Sequence, residues 1–268
     1  MMAAQAPAGG LGTTPPPLEL WGGVECTISR VGDVYRDQVV ETGHAARLSD
    51  IDAMAELGIK AVRYPILWEW VAPQVPGELN FGWHDDRLER LRKHGIKVIA
   101  GLLHHGSGPH YTDLLDPKFP ELFARYAAQV ARRYPWIETW NPINEPFTTA
   151  RFACLYGAWY PHLRDINATF RATVNQCLAI SRAMRAIREV NPDAKLLTTE
   201  DFGKSFATSE LQYQADHEND RRWLTYDLLT GRVVPGHPFY RWLRNKAAAE
   251  EQLAELATGE ASPDILGF

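Results

Sequence analysis

Ionisable and hydrogen-bonding side chains recur along this chain at the places where short apolar runs end. In chain order these groups are Glu25, Arg63, His104-His105, Asn144-Glu145 and Glu200. In parallel β/α folds, functional groups gather at the strand ends, so we expect these side chains to meet at one end of a sheet. A carboxyl group that is shielded from water holds its proton more tightly, so Glu145 in that setting could act as a general acid.

Large aromatic side chains accompany these groups. They are Trp68, Trp70, Trp140, Trp159 and Tyr160. Sugars present apolar C–H faces that can stack on aromatic rings, and hydroxyls that need paired donors and acceptors. The combination is typical of a carbohydrate site, and we expect Trp140, on the same strand as Asn144, to contact the substrate.

Each group also has a simpler structural interpretation, which the sequence leaves open. Glu145 could cap a loop before Pro146, and Arg63 could be one half of a buried ion pair. His104 and His105 could ligate a metal, but neighbouring strand residues point to opposite faces, which disfavours a shared ion. We therefore expect no metal and no organic cofactor.

Short apolar runs alternate with amphipathic segments along most of the chain. Strands are predicted around residues 20, 62, 99, 140, 197 and 266, and Pro142 is expected to spoil the end of the fourth. Helices are predicted over 48–57, 85–93, 119–133, 170–190, 220–229 and 247–257. The alternation predicts an α/β fold with a parallel sheet, in one domain over residues 18–268. Residues 1–17, rich in Ala, Pro and Gly, are expected to form a flexible leader.

The bulk composition narrows the class of protein. The chain has 268 residues and a formal net charge of −5, which gives no electrostatic basis for binding nucleic acid or an anionic membrane. No stretch approaches the roughly 20 apolar residues of a membrane-spanning helix. Three cysteines without a C-x-x-C pair favour a reducing compartment, and we expect a cytoplasmic protein.

A series of short motifs resembles, in order, those of the family 1 glycoside hydrolases, retaining β-glucosidase-like enzymes. The motifs are Leu20-Trp21-Gly22-Gly23, Arg63-Tyr64 with Trp68, Leu103-His104-His105, Asn144-Glu145-Pro146 and the run from Asp264 to Phe268. The resemblance implies a TIM-type (β/α)8 barrel, present here through about strand six. Gly106 stands where the family usually has Trp, and Trp68-Glu69-Trp70 also departs from its pattern, so we expect a divergent member.

The resemblance also implies roles for individual residues. Glu145 would be the general acid/base, Asn144 would bind the 2-hydroxyl of the sugar, and His105 would bind another ring hydroxyl. Arg63 would hold the catalytic nucleophile by a charge-assisted hydrogen bond. Glu25 lies near the position on strand one at which the family contacts the sugar.

The family's nucleophile is the glutamate of a Thr-Glu motif on strand seven, beyond the strands predicted here. Thr199-Glu200 has the same residue types on strand five, which makes Glu200 a possible alternative nucleophile. We expect a missing C-terminal segment or a complementing chain to supply strand seven, and this chain alone to show little or no turnover on a glycoside. Two other functions stay open: a carbohydrate- or partner-binding barrel without catalysis, and a module of a fused sugar-metabolism enzyme.

Overall fold

A computed structural model describes residues 17–268 of the chain. The leader predicted over residues 1–17 lies, apart from Pro17, outside the described residues. The strands are, in chain order, β1 (Trp21–Gly23), β2 (Ile28–Val31), β3 (Val34–Asp37), β4 (Ala61–Pro65), β5 (Lys97–His104), β6 (Thr139–Asn144), β7 (Lys195–Thr199) and β8 (Ile265–Gly267).

Six of these strands form one curled parallel sheet in the order β1-β4-β5-β6-β7-β8. Chain order and sheet order agree, as expected when each strand is followed by a helical crossover to its neighbour. Within residues 17–268, β1 and β8 each have a partner on one side only. The six strands predicted from the sequence are therefore confirmed, and the sheet is part of a TIM-type barrel.

Helices connect the strands of the sheet. In chain order they are α1 (Gln38–Glu41), α2 (Asp50–Glu56), α3 (Trp68–Val71), α4 (Gly82–Lys93), α5 (Phe119–Arg133), α6 (Pro146–Ala150), α7 (Ile166–Arg188), α8 (Gln212–Arg222), α9 (Leu224–Leu229), α10 (Tyr240–Lys246) and α11 (Glu250–Leu256). A π-helical turn over Arg151–Leu155 follows α6, and a 3-10 turn over Ser209–Leu211 precedes α8. Along the described residues, no helix is both long enough and apolar enough to cross a membrane.

The alternation of side chains along each strand separates two hydrophobic clusters. Val62 on β4 belongs to the main core, which also holds the buried faces of α5 and α7. Its neighbour Ala61 belongs to a small cluster with Ile99 and Leu197, against which Ile265 packs. Because successive side chains of a strand point to opposite faces, the small cluster marks the concave side of the sheet.

One sequence prediction about the strands was wrong, and one hairpin was missed. Pro142 does not end its strand early: β6 continues to Asn144, because the pairing with β5 resumes at Ile143 after passing over the proline, which has no N–H to donate. The hairpin of β2 and β3, closed at Gly32-Asp33, was not predicted.

The helix boundaries near the end of the chain also differ from the prediction. The helix expected over 220–229 is two helices, α8 and α9, which meet at Trp223. The helix expected over 247–257 begins at Glu250, and α10 precedes it. Asp264 fastens the last strand, since its side chain accepts hydrogen bonds from Leu196 N at 2.7 Å and Arg188 Nη2 at 3.2 Å.

Candidate active site

The carboxyl ends of four neighbouring strands bring the predicted groups together. Arg63 lies on β4, His104 ends β5 with His105 following it, Asn144 ends β6, and Thr199 ends β7. Asn144 connects them: its Oδ1 accepts hydrogen bonds from Arg63 Nη1 and, at 2.9 Å, from Thr199 Oγ1, while its Nδ2 lies 3.0 Å from His105 Nε2. One buried amide thus fixes side chains from three other segments.

Glu145 stands at the junction of β6 and α6 in a left-handed backbone conformation, with φ 47°. Its carbonyl oxygen accepts the first helical hydrogen bond, from Thr149 N at 2.9 Å, and Pro146 begins the helix. A left-handed residue here turns the chain sharply, so the side chain projects at the strand end instead of continuing the strand. Non-glycine residues in this conformation are uncommon and are held in place by their surroundings.

The Glu145 carboxyl is half-buried beside His105, with 27% of its side chain exposed. Its Oε2 lies 3.8 Å from His105 Nε2. Burial is the main cause that raises its pKa above the usual value, and the negative charge of Asp201 adds to the rise. A raised pKa keeps this carboxyl protonated further toward neutral pH, as a general acid requires.

His105 is held as a neutral ring. Burial and the neighbouring His104 lower its pKa to about 3. Because Asn144 Nδ2 donates to its Nε2, the proton must lie on Nδ1, which donates to Thr149 Oγ1 at 2.9 Å. Thr149 was not singled out in the sequence, although its position four residues after Glu145 places it on the first turn of α6.

His104 and His105 both face the mouth of the sheet, which corrects the prediction that they point to opposite faces. His105 has φ 54°, so the strand alternation stops at that residue, and the two rings lie 4.8 Å apart. His104 Nε2 lies 3.3 Å from Glu25 Oε1. The hydrogen bond from His104 holds the pKa of Glu25 down to about 2, so Glu25 is an ionised carboxylate at the rim of the site.

Arg63 has no carboxylate within ion-pair distance anywhere in residues 17–268. The interpretation as half of a buried ion pair within this part of the chain was therefore wrong. Its guanidinium is oriented by Asn144 and leaves donors that a further carboxylate could use.

The Glu200 side chain is hydrogen-bonded to the start of α6. Its buried carboxyl accepts hydrogen bonds from Phe147 N at 2.6 Å, Thr225 Oγ1 at 2.6 Å and Thr148 Oγ1 at 3.3 Å. Burial raises its pKa to about 7. Since these donors occupy the carboxyl and only 3% of the residue is exposed, the structure contradicts Glu200 as an alternative nucleophile.

Trp140 is a core residue, which corrects its assignment as a substrate contact. It pairs with Ala100 and Leu196, and all three belong to the main hydrophobic cluster behind the sheet. Only 1% of Trp140 is exposed, and its indole donates to Ile137 O at 3.2 Å. The aromatic ring beside the site is Trp159, whose centroid lies 5.4 Å from that of His105 and which stacks on Phe152.

Glu69 occupies the space that a side chain at position 106 would need. A Cβ built on Gly106 would overlap Glu69 Oε1, and would lie 3.1 Å from Glu69 Cδ and 3.0 Å from Leu103 Cδ1. Both Glu69 oxygens are buried, with no hydrogen-bond partner among the described residues, as is Ser107 Oγ. Gly106 and Glu69, which both depart from the family pattern in the sequence, therefore belong to one packing arrangement.

Gly106→Ala is expected to lower the free energy of unfolding by about 1–3 kcal/mol, because a methyl group at this site overpacks a filled interior. In a Glu69→Ala background the same change should cost much less, since the colliding carboxyl is gone. Urea unfolding of the four proteins measures the coupling. Gly101→Ala, also buried on β5 but with its nearest contact at 3.7 Å, is the matched control. Equal costs of Gly106→Ala in both backgrounds would contradict the packing argument.

Comparison with known proteins decides the family. The model of glycosyl hydrolase family 1 matches residues 30–224. The chain belongs to glycosyl hydrolase family 1. The match includes Arg63, His105, Asn144 and Glu145, so the motifs that contain these residues were read correctly as those of this family. The motif at Leu20–Gly23 and the run from Asp264 to Phe268 lie outside the matched residues.

Individual relatives in the family are distant. The chain is 28% identical over 155 residues to β-glucosidase A of Thermotoga maritima, a match that covers 55% of this chain and 34% of the relative. It is 29% identical over 244 residues to the aryl-phospho-β-D-glucosidase BglH of Bacillus subtilis, covering 82% of this chain and 50% of the relative. The chain spans half or less of the length of these curated relatives.

The structural likeness agrees with the family. The family 1 β-glucosidase from Thermotoga maritima superposes with a TM-score of 0.75 at 20% identity, over 93% of this chain and 63% of that one. The complex of a β-glucosidase from that organism with methoxycarbonyl-substituted glucoimidazole gives 0.76 at 20% identity, over 93% and 64%. At this identity the likeness shows the fold alone, a partial β/α barrel.

Proposed function

We propose that this chain carries the acid/base half of a retaining β-glycosidase site, with Glu145 as the general acid/base. The observation that carries the proposal is the half-buried Glu145 carboxyl of raised pKa at the carboxyl end of β6, beside neutral His105 and the Asn144–Arg63 pair. The substrate is a β-linked glycoside, as in the names of the β-glucosidase and aryl-phospho-β-D-glucosidase relatives.

In the first step the protonated Glu145 gives its proton to the glycosidic oxygen while a carboxylate nucleophile attacks the anomeric carbon. The leaving group departs as an alcohol, and the sugar becomes an ester of the nucleophile. Glu145, now ionised, then takes a proton from a water molecule that attacks the anomeric carbon and releases the nucleophile. Asn144, His105 and Glu25 bind sugar hydroxyls during both steps.

The nucleophile comes from outside residues 17–268. Retention needs a second carboxyl group about 5–5.5 Å from the first. Of the carboxyl groups that follow β7, Glu200 is held by the donors at α6, and Asp201 pairs with Arg151 at 3.2 Å. The unpaired donors of Arg63 mark where the nucleophile would lie, so a C-terminal segment or a complementing chain would bring it to β4 and β1.

A second candidate function follows from the same observation. With Glu200 and Asp201 already paired and Glu25 assigned to the sugar hydroxyls, residues 17–268 alone would bind a sugar without cleaving it. Reading the gene beyond the codon for Phe268 separates the two. We expect an open frame with a Thr-Glu motif within about a hundred codons. A stop codon without such a segment nearby would favour the binding barrel.

The stereochemistry of hydrolysis tests the mechanism in the protein completed by the segment or chain that carries the nucleophile. Proton NMR of a β-glycoside digest is expected to show the β-anomer of the free sugar first, with the α-anomer appearing only through mutarotation, because two displacements at one carbon restore its configuration. An α-anomer formed first would contradict the proposal. Binding without hydrolysis would favour the second candidate.

A further inference from the structure

A basic surface lies on the segment that follows β7, at the end of the sheet that carries Glu145. Asp201, two residues beyond β7, pairs with Arg151 at 3.2 Å, and Arg151 donates to Thr148 Oγ1 at 3.1 Å, on the helix that begins directly after Glu145. Gly203 to Ser205 come next in the chain. We call Lys204, Ser205 and Arg222 the basic lip. It stands at the same end of the sheet as the proposed reaction and is not used by it.

Arg222, at the end of α8, lies against this segment. Its Nη2 is 3.4 Å from Ser205 Oγ, and a Cβ on Gly203 would overlap its Nη1. Asn219, one turn earlier on α8, accepts from Ser205 N at 2.8 Å and donates to Ser205 O at 3.0 Å. The guanidinium and the segment are therefore held together as one surface.

The two cations of the lip are not neutralised. Among residues 17–268, no carboxylate lies within 4.0 Å of Lys204 or Arg222, and residues 1–16 contain no Asp or Glu. Arg222 Nε is buried and has no acceptor in that part of the chain. The neighbouring arginines differ: Arg151 pairs with Asp201 at 3.2 Å, and Arg221 pairs with Glu218.

Exposed aromatic rings stand beside these cations. Phe206 is 83% exposed, and Lys204 Nζ lies 5.4 Å from the centre of its ring. Trp223, next to Arg222, is 53% exposed. Paired N–H donors match the oxygens of a phosphate or carboxylate, and aromatic surface beside them suits an organic group that carries such an anion.

We propose that the basic lip binds an oxyanion, a phosphate or a carboxylate, that the glycoside carries on its sugar or on its leaving group. The inference rests on the proposed function, because Glu145 defines where the glycoside lies. Arg222 supplies its Nη donors, Ser205 a hydroxyl, and Lys204 a second charge at the rim.

The test measures binding, so it does not depend on turnover. Calorimetric titration compares phenyl β-D-glucoside, 4-carboxyphenyl β-D-glucoside and phenyl 6-phospho-β-D-glucoside, with inorganic phosphate as a fourth probe. At least one anionic glycoside is expected to bind about tenfold more tightly than the neutral one, and the difference should shrink in high salt. A gain for the 4-carboxyphenyl glucoside places the anion on the leaving group, and a gain for the 6-phospho-glucoside places it on the sugar.

Substitutions test whether the basic lip causes the gain in affinity for the anionic glycoside. Arg222→Met and Lys204→Met are expected to remove the anionic preference and leave the neutral glucoside unchanged, while Arg222→Lys keeps part of it. Lys97→Met, at the opposite end of β5, is the control. An anionic preference that survives in Arg222→Met, or that is absent from the unchanged protein, would overturn the proposal.

The inference and the proposed function fail in different ways. If no glucoside binds at all, the proposed function is wrong, and inorganic phosphate then tests the basic lip by itself. Phosphate binding that Arg222→Met abolishes supports the lip as an anion site. No phosphate binding refutes it. Equal affinity for the neutral and anionic glucosides refutes the lip while leaving the glycosidase site intact. Thermal unfolding of each variant shows whether a loss reflects unfolding.

Discussion

In the protein completed by the segment or chain that carries the nucleophile, Glu145→Gln is expected to lower kcat/KM for an alkyl β-glycoside by about 10²–10⁴-fold, the usual contribution of a positioned general acid/base. The substitution keeps the shape of the side chain and the left-handed turn after β6, but removes the proton that the leaving oxygen needs. Steady-state kinetics measure the loss. Glu138→Gln, an exposed residue just before the opposite end of β6, is the control and should have no comparable effect.

The pH profile of the same completed protein, without the substitution, should carry the same signature. Glu145 must be protonated to act as an acid, so kcat/KM falls as the pH rises through its pKa. Because burial raises that pKa, activity should extend to higher pH than an exposed glutamate would allow. The alkaline limb should disappear in Glu145→Gln. A loss of less than tenfold with an unchanged alkaline limb would show that another group donates the proton.

Glu69→Gln is expected to stabilise the fold at pH 8 by an amount on the order of 4 kcal/mol and to have little effect near pH 4. Burial raises the pKa of Glu69 from 4.5 to about 8. Between those values the unfolded chain loses the proton while the folded protein keeps it, so the unchanged protein loses stability as the pH rises. A glutamine has no proton to lose, so its stability should be flat across this window.

Urea unfolding at several pH values, followed by tryptophan fluorescence, measures this difference. Glu56→Gln, on the exposed side of α2, is the matched control and should give a small offset that does not change with pH. If the Glu69→Gln offset were the same at pH 5 and pH 8, Glu69 would have to be ionised in the folded protein, with partners that the buried carboxyl lacks here.

Much of the site could be predicted from the sequence, because it depends on local pattern. Arg63, His105, Asn144 and Glu145 all follow apolar runs, and parallel strands place their carboxyl ends together. The structure joins these four by contacts that pass through Asn144 and His105. The sequence pattern predicts that these side chains lie together, and their roles in catalysis are proposed.

The errors concern what distant parts of the chain do to a residue. Glu200 resembles a nucleophile in the sequence, but Thr225, on a later helix, supplies one of the donors that occupy it. The left-handed turn at His105 brings His104 and His105 to one side, which the rule of alternation cannot anticipate. The error on Trp140 is of another kind, because the rule of alternation gives its position correctly. Its neighbour Asn141 faces Thr199, so Trp140 faces the helices and not the substrate.

The leaving-group dependence of Glu145→Gln tests the central claim most directly. The leaving group of a dinitrophenyl glycoside departs as a stable anion and needs little protonation. The methoxy group of a methyl glycoside must be protonated to depart as methanol. We predict that Glu145→Gln, in the protein completed by its nucleophile, forms the glycosyl-enzyme from the dinitrophenyl substrate at a nearly normal rate and loses most of its activity on the methyl substrate. Equal losses on the two substrates would contradict Glu145 as the general acid/base.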